Sequence, residues 1–589
     1  MNFMKVKKLL NDIEILLQNK DLERAKKALE KLIKKFPAEV TAINYLANIE
    51  LQSNQIEKAF NLLKKSIAIM PGQVSANINL GNIYYQKQFF TKAIQHYDLA
   101  IDYDPKSIKA YYNKGKSLSA LQQYDEALTC YEKTLALDSS NLLAYQNIGF
   151  IHNALNHYHQ AIEAYKKIIS IDSNNIDALY NLGIAYDNLV EFEKAKRIYE
   201  QCLAINTNHF EARNNLINIY IKQNKFSIAE KLLKESLDLN PNYSNFLITK
   251  ANIFKDQSQF EEAKNIYKQV IKNDPSNYKA HLNLGLLYLY LTEFQNGWSE
   301  YNYRWQLPYR QMNSSLSQIP KFNNDNEIGE ILIWGEQGIG DQIIYASLLQ
   351  RLNSQLNVTV AIDARLLTLF RDAFTHIKFI ANKEIQKHEG FSYQISLTDL
   401  GSLFIASVND LKQQNNAFLK ANKEKVGEFK EKYMHKKKRS CGISWRSKNI
   451  EFGFAKSINL ETLVPIFKAN DIEFFDLQYG DTQKEREQLE ENHNIKINRI
   501  ESFDYFNDID DLVALIDACD FIITTSNVTA HLAGSIGKKT LLLLPAGIGN
   551  LWYWHNTKQS LWYPSITILS QERAGDWESI IQKINLQDI

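Results

Sequence analysis

Cysteine is scarce in this 589-residue chain: Cys130, Cys202, Cys441 and Cys519 are the full set, and no two form a CxxC pair. That excludes a disulfide framework and a cysteine metal site, and it fits a reducing compartment. Each of the four sits in an apolar pattern, so each reads as a small buried hydrophobe rather than a nucleophile. Long hydrophobic runs are also missing. No segment approaches the ~18 to 20 apolar residues needed to cross a bilayer, and the longest candidate, TLLLLPAGI, has the length of a buried strand. Nor is there an excess of one charge. Lys plus Arg total 68 against 67 for Asp plus Glu, a net charge of +1, without the basic surplus of a dedicated nucleic-acid binder. The opening MNFMKVKKLLNDIEILL reads as an amphipathic helix with interspersed charges, not a signal peptide, so the expected location is cytoplasmic. What is present, 45% hydrophobic and 23% charged residues, describes a globular chain too long for one core.

The strongest positive signal is internal repetition. Ala25, Ala59, Ala93, Ala127, Ala161, Ala195, Ala229 and Ala263 recur every 34 residues, and Gly297 takes the ninth place. Gly81, Gly115, Gly149, Gly183 and Gly285 lie on a second such lattice, and Pro37, Pro71, Pro105, Pro241 and Pro275 on a third. Tyr97, Tyr131, Tyr165, Tyr199, Tyr267 and Tyr301 fill a fourth. Small residues let two antiparallel helices approach, aromatics are expected to fill the space between successive hairpins, and proline stops the second helix. The order Asn79-Leu80-Gly81 through Pro105 resembles the tetratricopeptide repeat (TPR), with about nine units in residues 1–311.

One such hairpin cannot bury its own apolar face, so the array is expected to stack into an all-α superhelix with a concave groove. Asn79, Asn113, Asn147, Asn181, Asn215 and Asn283 occupy one groove-facing position, with Thr249 breaking the series. An amide ladder offers donors and acceptors to the backbone of an extended peptide, although asparagine is also simply common at this position. The ladder resembles that of the protein O-GlcNAc transferases, whose repeats also precede a glycosyltransferase domain. Protein or peptide partners are expected there.

Repeat periodicity stops near Arg310, and the polar, turn-rich residues 312–327 read as a linker. Short apolar strands then alternate with helical segments, the mark of parallel α/β architecture. Strand EILIWG (330–335) runs into Glu336-Gln337-Gly338-Ile339-Gly340-Asp341 and a helix, QIIYASLLQRL. A glycine-rich turn from strand to helix is a natural anion site, though this GxGD is neither a Walker loop nor a full GxGxxG. Strands VTVAID, IKFIA and YQISL complete a first half, 328–435. A second half, 436–589, opens with SCGISWR and continues through helix NLETLVPIFKA, strand IEFFDLQYG, helix DIDDLVALIDAC, strand DFIITTS, the turn before His531 and strand KTLLLLP.

The run WGEQGIGDQIIYASLL, the GISWRS strand, DLQYG, DDLVALIDACDFIITTSNVTAHLAGSIGKKT and the closing LWYPS resemble, in that order, the heptosyltransferase-related glycosyltransferases of family nine, in the bacterial branch with N-terminal TPRs. The resemblance covers about residues 328 to 585 and implies a GT-B pair of Rossmann-like halves, acceptor side first and nucleotide-sugar side second. It implies an inverting, metal-independent transfer from a nucleotide-diphosphate sugar to an acceptor hydroxyl on a glycan, lipopolysaccharide or protein, with no cofactor beyond the donor.

By that resemblance Asp341 is the general base; the plainer role is a cap on the following helix. Gly338 and Gly340 serve the turn. Arg446 and Lys456 are both eligible to stabilise the leaving diphosphate, whereas Lys448 reads as a solvated surface charge. Gln478 and Tyr479 end a strand at the cleft, a place for contacts to nucleotide or sugar. Ser526, Asn527, Thr529 and His531 match the nucleotide-contacting turn, but the family's usual Asp-Thr pair is replaced by Ser526-Asn527, which leaves donor preference open. His531 is a phosphate or ribose contact, or a core histidine. Trp552, Trp554 and Trp562 suit aromatic packing better than stacking on a sugar. Asp508-Ile509-Asp510 sits before a helix, where acidic residues complement the dipole, and is not read as a metal-binding DxD. The competing reading is a scaffold whose transferase domain only binds.

Overall fold

The computed structural model describes residues 2–307, 316–323, 329–387, 390–412, 417–449, 452–469 and 471–586. The outer parts of the expected linker, 312–315 and 324–327, lie outside the described residues, as does the end of the expected repeat region, 308–311. The chain divides into two compact units, Met1–Ala212 and Arg213–Ile589.

The first unit holds six helical hairpins, from Asn2–Gln18 with Leu22–Lys35 to Ile176–Asn188 with Phe192–Ile205. The chain turns between the two helices through a left-handed residue at the same place each time: Lys20, Asn54, Gln88, Gln122, Asn156 and Val190. That periodic feature leaves no mark on composition, because six positions use four residue types. The glycine lattice has a specific cause. A Cβ on Gly81 would stand 2.6 Å from the Tyr97 ring, and one on Gly115 would stand 2.8 Å from Tyr131. The tyrosine therefore fills the space inside its own hairpin, not between successive hairpins as expected. Sixteen residues separate each glycine from its tyrosine, which sets them opposite one another in an antiparallel pair. Tyr97 Oη donates to Asn82 Oδ1 at 2.8 Å, and Asn113 Nδ2 from the next repeat donates to the same oxygen at 2.9 Å.

The second unit contains three more hairpins, ending in Tyr278–Tyr290 and Phe294–Tyr301, followed by two parallel sheets. Strands β1 (Glu330–Trp334), β2 (Asn357–Ile362), β3 (Lys378–Ala381) and β4 (Tyr393–Ser396) take the order β3-β2-β1-β4. Strands β5 (Arg439–Ser444), β6 (Ile472–Asp476), β7 (Phe521–Thr525), β8 (Thr540–Leu544) and β9 (Ile566–Ser570) take the order β6-β5-β7-β8-β9. β7 and β8 are buried along their whole length, as strands covered on both faces must be.

Several local expectations change. Described residues 316–323 are not a free linker: Lys321 bridges Gln394 of β4, the Phe322 N–H donates to the Gln394 carbonyl at 2.9 Å, and Phe322 is buried. Apolar Ile319 and Phe322 carry that segment onto the sheet edge. The helix after GxGD begins earlier, at Ile339, and tightens to a 3₁₀ turn over Ser347–Arg351. The NLETLVPIFKA segment forms only short turns, Leu460–Leu463 and Val464–Phe467, with Pro465 inside. One continuous core joins Leu289, Phe294 and Trp298 of the ninth repeat to Ile331 of β1 and to Leu532 and Trp554 of the second half. All four cysteines are buried, and among the described residues no helix is long and apolar enough to cross a membrane.

Candidate functional site

β1 delivers the chain into the GxGD turn at its carboxyl end. Gly338 is the residue that caps the helix Ile339–Ala346, and Asp341 lies in that helix's first turn, where the positive end of the helix favours a carboxylate. Asp341 is thus not the cap. Gly340 has a tight neighbour from the other half: a Cβ there would stand 2.8 Å from His531 Cδ2 and 3.2 Å from Nε2. A glycine is required at that point because the GxGD turn and the helix Val528–Ser535 touch.

His531 is buried at 3% exposure, stacks on Trp554 with centroids 5.1 Å apart, and places Nδ1 3.3 Å from the Tyr563 hydroxyl. Burial, reinforced by the positive charge of Lys456, pushes its pKa down to about 3, so the imidazole is neutral at ordinary pH. Lys456 ends the short helix Gly453–Lys456 and is equally buried. Burial pulls its ammonium down to about 8, while Asp341 acts in the opposite direction. Asp341, Lys456 and His531 therefore form one electrostatic group at the carboxyl ends of β1, β5 and β7. Tyr553 and Tyr563 belong to it as well. Burial, then the field of Asp341, raises their hydroxyls above the usual range.

The remaining candidates are placed differently. Arg446 does not point into this group: Nη1 pairs with Glu485 at 3.0 Å and Nη2 donates to the Asp481 carbonyl at 3.0 Å. Gln478 is spent on the strand end. Its Oε1 accepts from Ser444 Oγ, from the Trp445 N–H at 3.0 Å and from the Arg446 N–H at 2.8 Å. Ser526 Oγ accepts from Trp554 Nε1 at 2.9 Å. Asn527 caps the Val528–Ser535 helix, accepting from the Thr529 N–H at 3.0 Å, and its Nδ2 donates to Ser444 Oγ at 2.8 Å. Thr529 is buried behind that cap. The Ser526-Asn527 pair thus ties the ends of β5 and β7 together. Lys448 is exposed but lies over Tyr479 and Phe506, 5.5 and 6.0 Å from their rings. Asp508 caps the helix Ile509–Ala518, and Trp552, Trp554 and Trp562 are all buried.

In the repeats, the amide ladder turns partly inward. Asn79 Nδ2 donates to Asn48 at 2.7 Å, Asn113 to Asn82, Asn283 to Asn252 at 3.4 Å, and Asn147 to the Leu143 carbonyl at 2.7 Å. Where the series breaks, Thr249 Oγ1 donates to Asn214 Oδ1 at 2.9 Å. Asn181 and Asn215 are half-buried at the same position. Asn79, Asn113 and Asn283 thus stitch neighbouring helices, because asparagines on adjacent first helices come within hydrogen-bond reach.

Reading of the residues alone missed the ninth repeat's contribution. Arg304 is 1% exposed; its Nη2 bonds Glu336 at 3.1 Å, Ser396 at 3.2 Å and Asp399 at 2.5 Å, between the rings of Tyr301 and Trp305. Gln337 Nε2 donates to the Tyr301 hydroxyl at 2.9 Å. The two residues that open the GxGD turn are therefore both held from the last repeat. The signal was an arginine set inside the aromatic run Trp298–Trp305.

Tetratricopeptide-repeat families match residues 13–74, 81–122, 108–141, 151–189, 191–253 and 251–291; TPRs run through the N-terminal region. The chain is 26% identical over 320 residues to Protein FlbA of Caulobacter vibrioides, an alignment covering 49% of this chain and 51% of that one. The chain thus spans about half the length of this curated relative. Similar solved structures include YrrB, described as a TPR protein with an unusual peptide-binding site (21% identity, 32% of this chain and 96% of that one, TM-score 0.30). MamA is another (23%, 28% and 91%, TM-score 0.27). A third is the C-terminal part of a TPR repeat-containing protein from Cytophaga hutchinsonii (18%, 40% and 96%, TM-score 0.34).

Proposed function

We propose that the sheet-bearing region is an inverting, metal-independent glycosyltransferase of GT-B layout. It moves a sugar from a nucleotide-diphosphate donor to an acceptor hydroxyl, and the TPRs recruit the acceptor, a protein or a glycan, or a partner protein. The observation that carries this reading is the meeting of Asp341, Lys456 and His531 at the carboxyl ends of strands from both sheets, where ligands of parallel α/β folds bind.

In this mechanism the Asp341 carboxylate takes the proton of the acceptor hydroxyl as its oxygen attacks the anomeric carbon. The Lys456 ammonium stabilises the charge that gathers on the departing diphosphate. A bound dianion favours the protonated lysine and lifts its pKa from about 8, so the cation is retained through the reaction. Neutral His531 serves as a hydrogen-bonding wall. Arg446, engaged by Glu485, stands outside the reacting centre.

The test is a donor panel assayed by mass spectrometry for released nucleotide and modified acceptor. Asp341→Asn is expected to lower transfer by about 10²-fold or more while donor affinity and Tm stay close to wild type. Normal turnover by that variant would remove Asp341 as the base. One observation favours a binding-only scaffold: Ser526 and Asn527 spend their side chains inside the fold. Wild-type protein that binds nucleotide sugars but neither transfers nor hydrolyses any of them would establish that second reading.

A further inference from the structure

Beside Lys456 the structure forms a partly open cavity of about 90 Å³ between the second sheet and the seventh repeat. Gln571, the residue after β9, is part of its wall and is 6% exposed. The orientation of this amide is fixed. Its Oε1 accepts from the Ala546 N–H at 3.2 Å and from the Gly575 N–H at 3.1 Å. Two backbone donors at one end mean that this end is the oxygen. The Nε2 end is a buried donor with no acceptor among the described residues. Such a group costs about 1–3 kcal/mol when left unpaired; a water or a ligand acceptor entering from the cavity would pair it.

The rest of the wall narrows the chemistry. Phe454 and Trp577 present flat apolar surfaces, and Lys222 and Asn224 close the cavity from the seventh repeat. Asn224 stands at the left-handed turn of that hairpin, φ 59°, with Nδ2 3.0 Å from the Cβ position of Gly575. A whole nucleotide sugar needs a pocket of roughly 300 Å³ or more, so this cavity takes one small planar group. Its wall also adjoins Lys456. Ala455 is the preceding residue, and the Cβ position of Gly549, next to wall residue Ile548, is 3.0 Å from Lys456 Cγ.

We infer that this cavity is a selectivity subsite for a carbonyl-bearing planar group of the bound donor, read by Gln571 Nε2 and closed by the seventh TPR. The inference rests on the donor reading of Lys456. In a nucleotide sugar that chemistry has two sources, the N-acyl substituent of an aminosugar and the carbonyl edge of a pyrimidine base.

Calorimetric titration of the full chain with inorganic pyrophosphate, ADP, UDP, UDP-glucose and UDP-N-acetylglucosamine distinguishes them. The Gln571→Glu variant at pH 8 keeps an oxygen for the two backbone amides but replaces the donor with an acceptor. Wild type is expected to prefer the N-acetyl donor to UDP-glucose by about tenfold (acyl source), or UDP to ADP by about tenfold (base source). Gln571→Glu should lose that preference and bind pyrophosphate as wild type does. Ala574→Leu, which adds volume at a wall residue and leaves Gln571 itself in place, should lose it too, and keeps the test decisive if Gln571→Glu melts early. Pyrophosphate binding with neither preference in wild type, or a preference unchanged in both variants, overturns the subsite alone. Failure of wild type to bind pyrophosphate and every nucleotide overturns the donor reading and the subsite with it.

Discussion

Gly81 and Gly285 occupy the same lattice position in the third and ninth repeats, yet they face different things. A methyl added at Gly81 would press on the Tyr97 ring at 2.6 Å, a side chain that can yield; at Gly285 it would press on the backbone nitrogen of Tyr301 at 2.5 Å. The contrast extends to whole repeats. The first six form hairpins stitched mostly by their own asparagines and tyrosines. The last three belong to the unit that carries the sheets. There Trp298 Nε1 donates to the Ile405 carbonyl at 2.8 Å, Arg304 bonds Asp399, and His555 Nδ1 lies 3.2 Å from the Tyr290 carbonyl. A repeat lattice specifies the hairpin, and residues off the lattice, joined by lattice Tyr301, specify what the last hairpin docks on.

The largest expected effect compares ion pairs in the two regions. Arg304→Met strands Glu336 and buried Asp399, which Arg304 and Lys321 hold ionised against the cost of burial. Breaking such a pair costs about 3–5 kcal/mol, and the opening of the GxGD turn should lose protection in hydrogen exchange. Lys114→Met in the fourth repeat breaks a half-exposed pair with Asp98 and should cost under about 1 kcal/mol. Equal losses of stability in urea unfolding would erase the distinction.

Next are the two glycines. Gly285→Ala should destabilise by about 1–3 kcal/mol through overpacking against immovable backbone, and more than Gly81→Ala, where a ring can shift. The reverse order, measured by urea unfolding of each variant, would mean that the ninth hairpin is the more yielding one.

The last comparison is a titration. Lys456 has a folded pKa of about 8, below the ordinary 10.5, so between those values the unfolded chain binds the additional proton and stability rises with pH. The penalty of burying the ammonium is full below pH 8 and relieved as pH climbs toward 10.5. The Tm advantage of Lys456→Met over wild type should therefore shrink from pH 7 to pH 10. Competitive labelling of amines should place the Lys456 midpoint near 8, lower still in Asp341→Asn. A midpoint near 10.5 would remove Lys456 from the buried group.

Much of this was legible before any coordinates. The TPR hairpins follow from the alanine and glycine lattices, and among the described residues every strand except β9 coincides with an apolar run picked out in the sequence. The carboxylate of GxGD, Lys456 and His531 were also named, and the structure draws them into one group. What sequence reading could not resolve was which polar groups remain available. Gln478, Ser526 and Asn527 carry suitable chemistry, but each is consumed by a strand end or helix end that comes near only on folding. Arg446 and Lys456 looked equivalent because spacing does not say where a long side chain points.

By itself, then, the sequence determined the periodic and local features, since helix pairing at 34-residue spacing and buried parallel strands depend on residue size and apolarity over short stretches. Tertiary structure decided the rest. It set Asp341 against Lys456 and His531 more than a hundred residues away, anchored the GxGD turn on Arg304 and Tyr301 of the last repeat, and left Gln571 Nε2 buried and unpaired among the described residues, in a residue that walls a cavity. Those outcomes are electrostatic and steric consequences of long-range approach, which no local pattern of residues encodes.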